Sequence, residues 1–298
     1  MHLIARRSLV HQVGAYVALT KPRIIELLLV TTLPTMVVAE QGLPPVGLMV
    51  ATLVGGTLAA GGANAINMYV DRDIDAVMER TKGRPLVTGE MSPRAALTFA
   101  IGLEVVAFVE LWTLVNLLSA VLAVSACLFY VFIYTLWLKR TSKQNIVIGG
   151  AAGAVPVLVG WAAVTDSLAL APWLMFAIIF IWTPPHFWAL AIRYREDYAA
   201  ADVPMLPAVE TLRNTAIQIL AYTVVLWATT LLLAPVADLG WIYLGSALVL
   251  GAVFTWMAVH LLRDPTPALA MRLFTYSITY LTLLWAAMAV DVLVEHGL

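Results

Sequence analysis

The stretch NAINMYVDRDIDAVMERTKGRPLVTG, residues 64–89, ends a long apolar segment and begins a polar one. Asn67, Asp71 and Asp75 are spaced four apart, so one face of a helix carries all three side chains. Their oxygens are the ligands that Mg²⁺ uses when it also holds a phosphate. Carboxylates are costly in a membrane helix and usually face a cavity or a partner. The alternative is a solvated helix end, and the basic segment that follows argues against it.

The composition indicates a chain that lies almost entirely in a membrane. Of its 298 residues, 62% are hydrophobic and 12% are charged, whereas soluble domains carry about 25% charged residues. The net charge of −1 indicates no nucleic-acid partner. No long polar stretch remains for a soluble domain, so we expect one all-α, multi-pass domain over residues 1–298. Nine segments are long and apolar enough to span a bilayer, at residues 24–41, 46–69, 95–115, 117–137, 145–164, 171–192, 215–234, 240–262 and 272–294.

The basic residues predict how these nine segments are oriented. With nine spans, all 17 Lys and Arg fall on one side, and the opposite connections carry only Glu40, Asp166 and Asp238. Positive charge marks the cytoplasmic side of a cell membrane. We therefore expect a cytoplasmic N-terminus and a C-terminus on the opposite side.

A second acidic stretch, RYREDYAAADVPMLP at residues 193–207, follows the sixth apolar segment. Its position matches that of the first, which suggests an internal duplication with two acidic clusters converging on one metal-diphosphate. Asp197 and Asp202 are five residues apart, so a regular helix would not place them on one face. A helix break near Val203 and Pro204 would change this. The alternative is a solvated exit from the membrane.

Basic side chains on the same predicted face would complete a site for diphosphate chemistry. Breaking the bond between a diphosphate and an allylic carbon leaves charge on oxygen and a carbocation on carbon. Lys and Arg stabilise such a departing oxyanion, and Mg²⁺ acts as Lewis acid and template. Each basic residue could instead be an anchor at the membrane surface. The candidates are Arg23, Lys82, Arg84, Lys139, Arg140 and Lys143.

Five strings together resemble the UbiA superfamily of intramembrane prenyltransferases. The spacing of Asn67, Asp71 and Asp75 is similar to its first aspartate-rich motif, and Asp197 matches its second. The string NIVIGGAAGAVPVLVGW and the string TPPHFWAL resemble the branch of the superfamily that farnesylates haem. The last third of the chain matches mainly in hydropathy. The five strings are LTKPRIIELLLVTT at 19–32, the stretch at 64–89, LKRTSKQNIVIGGAAGAVPVLVGW at 138–161, WTPPHFWALAI at 182–192 and DYAAADVPMLP at 197–207.

This resemblance implies nine helices around a central cavity that the two cytoplasmic connections cap. It also implies a reaction in which farnesyl diphosphate ionises with Mg²⁺ and the farnesyl unit adds to a vinyl group of haem B. Water completes the new side chain, giving haem O and diphosphate. The expected surroundings are the lipid bilayer and proteins that modify haem or assemble oxidases.

The resemblance also implies roles for individual residues. Asn67, Asp71 and Asp75 would hold the metal-diphosphate as catalytic residues, joined by Asp197, and Asp202 is a further candidate metal ligand. By the same resemblance, five of the basic candidates would contact the phosphates: Arg23, Lys82, Arg84, Lys139 and Arg140. Lys143 is a candidate because of its position alone. The related haem enzymes usually carry a basic residue near position 196 and Gly or Asn near 202, where this chain has acids.

His186 is the candidate for contact with haem. It lies in TPPHFW of the sixth segment, where Pro184 and Pro185 are expected to break the helix and free backbone groups. A neutral imidazole can ligate iron or exchange a proton, and Trp188 could border a flat macrocycle. The alternatives are a buried, hydrogen-bonded histidine and a tryptophan that anchors the helix at the interface.

Two other functions remain open on the sequence alone. One is a related prenyltransferase that acts on an aromatic or quinone precursor. The other is a transporter, because intramembrane carboxylates also mark ion pathways. The acids here cluster at one membrane face beside basic residues, whereas transporter sites lie near mid-depth.

Overall fold

The computed structural model describes residues 9–296, with the side chains of residues 9, 10, 23, 24 and 26–28 excepted. Within these residues every regular element is a helix, which confirms the all-α prediction. In chain order the helices are α1 (Leu9–Thr20), α2 (Pro22–Glu40), α3 (Val46–Val70), α4 (Arg72–Val77), α5 (Pro93–Leu114), α6 (Leu117–Leu128), a π-helical segment (Phe129–Leu138), α7 (Lys139–Thr141), α8 (Asn145–Thr165), α9 (Leu170–Arg193), α10 (Arg195–Ala200), α11 (Leu206–Val209), α12 (Leu212–Val236), α13 (Trp241–Arg263) and α14 (Pro267–Glu295).

Each predicted apolar segment coincides with a helix of the structure to within a few residues. In the described part of the chain, eight helices are long and apolar enough to cross a membrane, counting Leu117–Thr141 as one. The remaining predicted segment, residues 24–41, corresponds to the 19-residue α2, whose described apolar part is Leu29–Glu40. The chain is therefore a multi-pass membrane protein.

Side-chain caps begin three of these helices where the sequence changes from polar to apolar. Ser92 immediately precedes the proline that starts α5, and its hydroxyl accepts a hydrogen bond from the backbone N–H of Ala95 at 3.2 Å. Asn116 starts α6 and Thr211 starts α12 in the same way. Such residues satisfy N–H groups that a helix cannot pair internally, so the boundaries follow directly from the sequence.

Adjacent glycines in the string NIVIGG let two neighbouring elements approach α8 closely. Gly149 lies against the ring of Tyr134, and Gly150 lies against the side chain of Thr183 in α9. A methyl group at Gly150 would come within 2.9 Å of the Thr183 Cβ, so no larger residue fits without a shift. Small residues bring membrane helices together in this manner, and here they set the position of the π-helical segment and of α9.

The expectation that Pro184 and Pro185 break the sixth segment is wrong. Helix α9 runs without interruption from Leu170 to Arg193 with both prolines inside it. Proline removes a backbone donor and crowds the preceding turn, but α9 packs against α8, α12 and α14 and most of its side chains from Trp182 onward are buried. This enclosure holds the helical path.

A carboxylate of α14 caps the start of α13 from the neighbouring helix. Asp291 is buried, and its two oxygens accept hydrogen bonds from the backbone N–H groups of Gly240 at 2.5 Å, Ile242 at 2.9 Å and Tyr243 at 3.0 Å. These donors have no partner within α13 because they belong to its N-cap residue and its first turn. Asp291 therefore ties the ends of two spanning helices together.

We expect Asp291→Asn to lower the free energy of unfolding by about 1–3 kcal/mol, because the amide would set an N–H group against a buried backbone N–H group. Thermal unfolding of the detergent-solubilised protein measures the change. Asp238→Asn is the matched control, since Asp238 is exposed in the same connection and its backbone conformation suits asparagine. Equal melting temperatures for the two variants would contradict the capping role.

Candidate active site

The column predicted from the spacing is present as a continuous helical face. Helix α3 ends at Val70, but backbone hydrogen bonds continue from Asp71 N to Asn67 O at 2.9 Å and from Asp75 N to Asp71 O at 2.8 Å. The side chains of Asn67, Asp71 and Asp75 are all buried. Asp73 lies on the opposite face and its side chain is 61% exposed. Three polar side chains are thus held in a row where α3 meets the connection to α5.

Asp71 is the most enclosed member of the column, with no exposed surface. Its Oδ2 atom forms an ion pair with Lys139 Nζ and accepts a hydrogen bond from Asn67 Nδ2 at 2.8 Å. Its Oδ1 atom is buried without a hydrogen bond, and the nearest guanidinium nitrogen, Arg140 Nη2, is 3.8 Å away. A buried carboxylate oxygen without a donor is costly, which marks this atom as available to a ligand.

Lys21 and Thr135 also form hydrogen bonds with the Asn67 side chain. Lys21 Nζ donates to Asn67 Oδ1 at 2.7 Å, and Asn67 Nδ2 donates to Thr135 Oγ1 at 3.1 Å. Burial, together with the charges of Arg84 and Lys139, lowers the pKa of Lys21 to about 7. A polyanion bound here would favour the protonated amine. Neither residue was a sequence candidate, although Lys21 lies in the string at 19–32.

Lys21 itself has a left-handed backbone, with φ 53° and ψ 63°, immediately before Pro22. A residue before proline normally adopts an extended conformation, so this geometry is strained. Backbone strain of this kind concentrates at functional sites. Here it turns the lysine from the end of α1 toward the column.

The basic connection after α4 folds back over the column. Arg84 Nη1 lies 2.5 Å from Asp75 Oδ2, and the Thr81 hydroxyl donates to the backbone carbonyl of Asp75 at 3.1 Å. Lys82 pairs instead with Glu79, and both side chains are exposed. Only one of the two basic candidates in this connection therefore reaches the column.

Arg140 bridges the two faces of the α3–α4 junction. Its Nη1 and Nη2 atoms lie 2.7 and 2.8 Å from the two oxygens of Asp73, and Nη2 also donates to the Val70 carbonyl at 3.3 Å. The hydrogen bonds from Arg140 hold the pKa of Asp73 at about 2. Arg140 thus lies between the exposed acid and the buried one, beside Lys139.

A π-helical segment brings Thr135 and Lys139 to the column. Within Phe129–Leu138 the Thr135 hydroxyl donates to the Tyr130 carbonyl five residues earlier at 2.8 Å. The wider turn rotates the following residues relative to an α-helix, and π-helical turns are frequent at functional sites. The rings of Tyr130 and Tyr134 are stacked, with centroids 5.3 Å apart. Sequence periodicity cannot distinguish such a turn from an α-helix.

The second acidic stretch meets the first through the basic connection. Asp197 Oδ2 accepts a hydrogen bond from the backbone N–H of Arg80 at 3.4 Å, and the Arg80 guanidinium lies 5.6 Å from the centre of the Tyr194 ring. Nearby Tyr198 is buried, and burial raises the pKa of its hydroxyl. Asp197 is thereby held beside the connection that also carries Arg84.

The structure does not bring Asp202 to the column. Helix α10 ends at Ala200, earlier than the predicted break, and Asp202 is exposed with φ 52°. Among the described residues, no three carboxylate, histidine or cysteine side chains are close enough to hold a metal by themselves. The five candidate metal ligands thus do not form one preassembled set.

Of the remaining basic candidates, Lys143 lies away from the column and the side chain of Arg23 is not described. Lys143 Nζ pairs with Glu210 Oε1 at 2.8 Å at the surface, and this contact, with Asn214, lowers the pKa of Glu210. The side chain of Arg23 lies outside the described residues. Arg84, Lys139 and Arg140 are therefore the candidates that the structure places at the column.

His186 and Trp188 are both buried in α9. The His186 ring stacks on Trp182, with centroids 4.2 Å apart, and its Nδ1 atom lies 2.7 Å from Ser277 Oγ. Trp188 is fully enclosed and packs edge-on against Tyr222. His186 is thus buried and hydrogen-bonded, and its contact with haem stays a prediction.

Comparison of the sequence with known proteins gives one consistent result. The profile of the UbiA prenyltransferase family matches residues 28–286. A protein named protoheme IX farnesyltransferase from Streptomyces avermitilis is 52% identical over 287 residues and covers 94% of each chain. A protein of the same name from Frankia alni is 53% identical over 289 residues, covering 95% of this chain and 99% of the relative.

Solved structures give the same fold at low sequence identity. One, described as a digeranylgeranylglyceryl phosphate synthase in membranes, matches with a TM-score of 0.78 at 16% identity, covering 94% of this chain and 98% of that one. A UbiA homologue from Archaeoglobus fulgidus bound to GPP and Mg²⁺ matches with a TM-score of 0.65 at 16% identity, covering 92% and 99%. These likenesses show a shared helical architecture.

Proposed function

The chain belongs to the UbiA prenyltransferase family and is an intramembrane prenyltransferase, and we propose that it transfers the farnesyl group of farnesyl diphosphate to haem B. The relatives named protoheme IX farnesyltransferase support this choice of substrates. The observation that carries the proposal is the buried Asp71 between Asn67 and Lys139. Family membership removes the transporter alternative.

The column fits a magnesium ion that is held together with a diphosphate. Mg²⁺ usually keeps one or two carboxylates and completes its octahedral shell with water and substrate phosphates. Asp71 and Asp75 supply the carboxylates, Asn67 supplies an amide oxygen, and Asp71 Oδ1 is buried without a donor. Bound magnesium would supply Lewis acidity at the diphosphate oxygens. Asp197 would join from the second acidic stretch.

Before a diphosphate binds, the basic residues beside the column neutralise its carboxylates. Lys139 pairs with Asp71 and Arg84 pairs with Asp75, and Arg140 lies 3.8 Å from the other oxygen of Asp71. An entering diphosphate gives these cations new partners at the position where negative charge grows as the carbon–oxygen bond breaks. Charges fixed in advance stabilise such a transition state without reorganisation. Lys21 would be a further donor, and Arg23 stays a prediction.

The transfer itself balances as an addition of the farnesyl group and water to a vinyl group. The allylic carbon–oxygen bond breaks and diphosphate leaves with both electrons. The vinyl double bond of haem B then forms the new carbon–carbon bond, which places the positive charge on the carbon next to the porphyrin ring. Water adds to that carbon and loses a proton, giving the hydroxyethylfarnesyl side chain of haem O.

The acceptor side of the proposal rests on His186, because Trp188 is fully enclosed. His186 lies seven residues before the end of α9, which is about 10 Å along the helix axis. Helix α10, with Asp197, follows directly. The histidine would thus lie in the half of the bundle that carries the column, where the two substrates would meet.

We propose a cytoplasmic N-terminus and a C-terminus on the opposite side, as the 17 basic residues predict. A reporter inserted after Ser142 should show the cytoplasm, and a reporter fused after Leu298 should show the outside. Paired alkaline phosphatase and fluorescent-protein fusions measure both positions. A cytoplasmic signal at both positions would contradict nine spans.

A further inference from the structure

His186 is held in a cage of aromatic side chains between α9 and α14. Its ring stacks on Trp182 at 4.2 Å and on Phe274 at 4.6 Å, and meets the edge of Phe187 at 5.3 Å. Trp182 is itself fixed, because its Nε1 atom donates to the Ser277 carbonyl at 2.8 Å. Both faces of the imidazole are therefore covered, and the ring cannot turn freely.

The hydrogen bonds of the Ser277 hydroxyl determine which nitrogen of the His186 ring carries the proton. Ser277 Oγ lies 2.6 Å from the Phe274 carbonyl oxygen, which can only accept, so the hydroxyl proton is donated there. The same oxygen lies 2.7 Å from His186 Nδ1. Nδ1 must then be the donor, since the hydroxyl has no second proton. In a neutral ring this leaves Nε2 with a free lone pair.

The Nε2 atom is open to a ligand. No described residue forms a hydrogen bond with it, and it is not among the buried polar atoms that lack a partner. His186 keeps 7% of its surface exposed. Because Nε2 has no hydrogen bond among the described residues and is not a fully buried atom, part of this exposure lies at Nε2.

We propose that Ser277 is a positioning residue which fixes the tautomer and the orientation of His186, so that Nε2 ligates the iron of the haem acceptor. This inference rests on the proposed function and adds a residue of α14 to the acceptor site. Ligating histidines commonly donate their second ring N–H to an oxygen, which fixes the ring and raises its basicity. The hydroxyl of Ser277 is that oxygen here.

The surroundings favour iron ligation over proton transfer. A histidine that accepts a proton becomes a cation, and a cation among Trp182, Phe187 and Phe274 would be poorly solvated. Among the described residues, the recorded contacts of the ring are with Trp182, Phe187, Phe274 and Ser277, none of which is a carboxylate. Ligation keeps the imidazole neutral, so it carries no such cost.

Titration of the purified full-length protein with haem B, followed at the Soret band, tests the proposal. Ser277→Ala should weaken haem binding by about tenfold to a hundredfold and shift the Soret band, as loss of an outer-shell partner does. Ser277→Thr keeps the hydroxyl and should restore the wild-type spectrum. His186→Ala should lose the ligand, and added imidazole should restore the band.

Thr223→Val is the matched control, because Thr223 is a buried residue whose hydroxyl bonds only to the Ile219 carbonyl. It should leave the Soret band unchanged. In the His186→Ala background, Ser277→Ala should have no further effect, since Ser277 acts through the histidine. An unchanged Soret band in His186→Ala would overturn the inference, as would a Ser277→Ala spectrum identical to that of the control.

The outcome is separable from that of the proposed function. If wild-type protein forms haem O but the Soret band does not respond to His186 or Ser277, only the ligation is wrong. If wild-type protein forms no haem O from haem B and farnesyl diphosphate, the proposed function itself is wrong, and the inference falls with it.

Discussion

Asp71→Asn should lower the rate of prenyl transfer by about a thousandfold, the upper range for removing one electrostatic partner of a transition state. The substitution keeps the shape of a side chain that has no exposed surface, but it removes the charge that faces Lys139 and that would face a bound metal-diphosphate. Release of diphosphate from farnesyl diphosphate, in the presence of Mg²⁺ and haem B, measures the loss. Asp75→Asn should have a similar effect through Arg84.

Asp73→Asn is the matched control, because the same change two residues away falls on an exposed carboxylate. An exposed ion pair is worth about 0–1 kcal/mol, so we expect an activity within about fivefold of the wild type. Because Asp71→Asn leaves a buried lysine without its partner, folding must be checked separately. The double variant with Lys139→Met removes both charges, and it should restore stability but not activity. Equal activity of Asp71→Asn and Asp73→Asn would refute the role of the column.

Lys139→Met should also be severely impaired, with transfer reduced by about a hundredfold or more. Lys139 is the cation closest to Asp71, and its side chain is only 13% exposed. Its loss removes a donor to the diphosphate and leaves a buried carboxylate unpaired, which is strongly destabilising. Kinetics at varied farnesyl diphosphate, with melting temperature measured in parallel, separate the two effects.

Lys143→Met tests whether activity depends on the position of the lysine or only on its charge, because it removes the same charge four residues after Lys139. Lys143 is half exposed and pairs with Glu210 at the surface. We expect its activity to remain close to that of the wild type. A loss as large as that of Lys139→Met would mean that phosphate recognition follows the total basic charge of this connection and not the geometry of the column.

The column shows what the sequence could predict about the site. Helical backbone hydrogen bonds continue from α3 through Asp71 into α4, so the spacing alone predicted that Asn67, Asp71 and Asp75 share one face. Contacts local in sequence follow from helical periodicity. The same periodicity accounts for Asp73, two residues from Asp71, lying on the exposed face.

Contacts between distant segments could not be predicted in this way. Lys21 reaches Asn67 from 46 residues away, and Thr135 from 68, through a π-helical turn that has no periodic signal. Equally, charge alone could not separate Lys139 from Lys143, because the pairing of Lys143 with Glu210 depends on the packing of the bundle. Tertiary packing likewise keeps α9 helical through two prolines.

The arrangement suggests how a buried site remains stable before substrate binds. Two buried carboxylates and their cations neutralise one another within the column, so neither charge is left unpaired in the membrane. In an incoming metal-diphosphate, the metal would pair with the carboxylates and the phosphates would pair with the cations. The unpaired Oδ1 atom of Asp71 is the place where such an exchange would begin.

Mass spectrometry of haem extracted from membranes tests the central proposal most directly. Membranes that contain this protein, supplied with haem B, farnesyl diphosphate and Mg²⁺, should yield a haem heavier than haem B by one farnesyl group and one hydroxyl group, with haem B consumed. Membranes with Asp71→Asn should yield haem B alone. If the active protein releases diphosphate but the extracted haem keeps the mass of haem B, the acceptor is a different molecule and the proposed function is wrong.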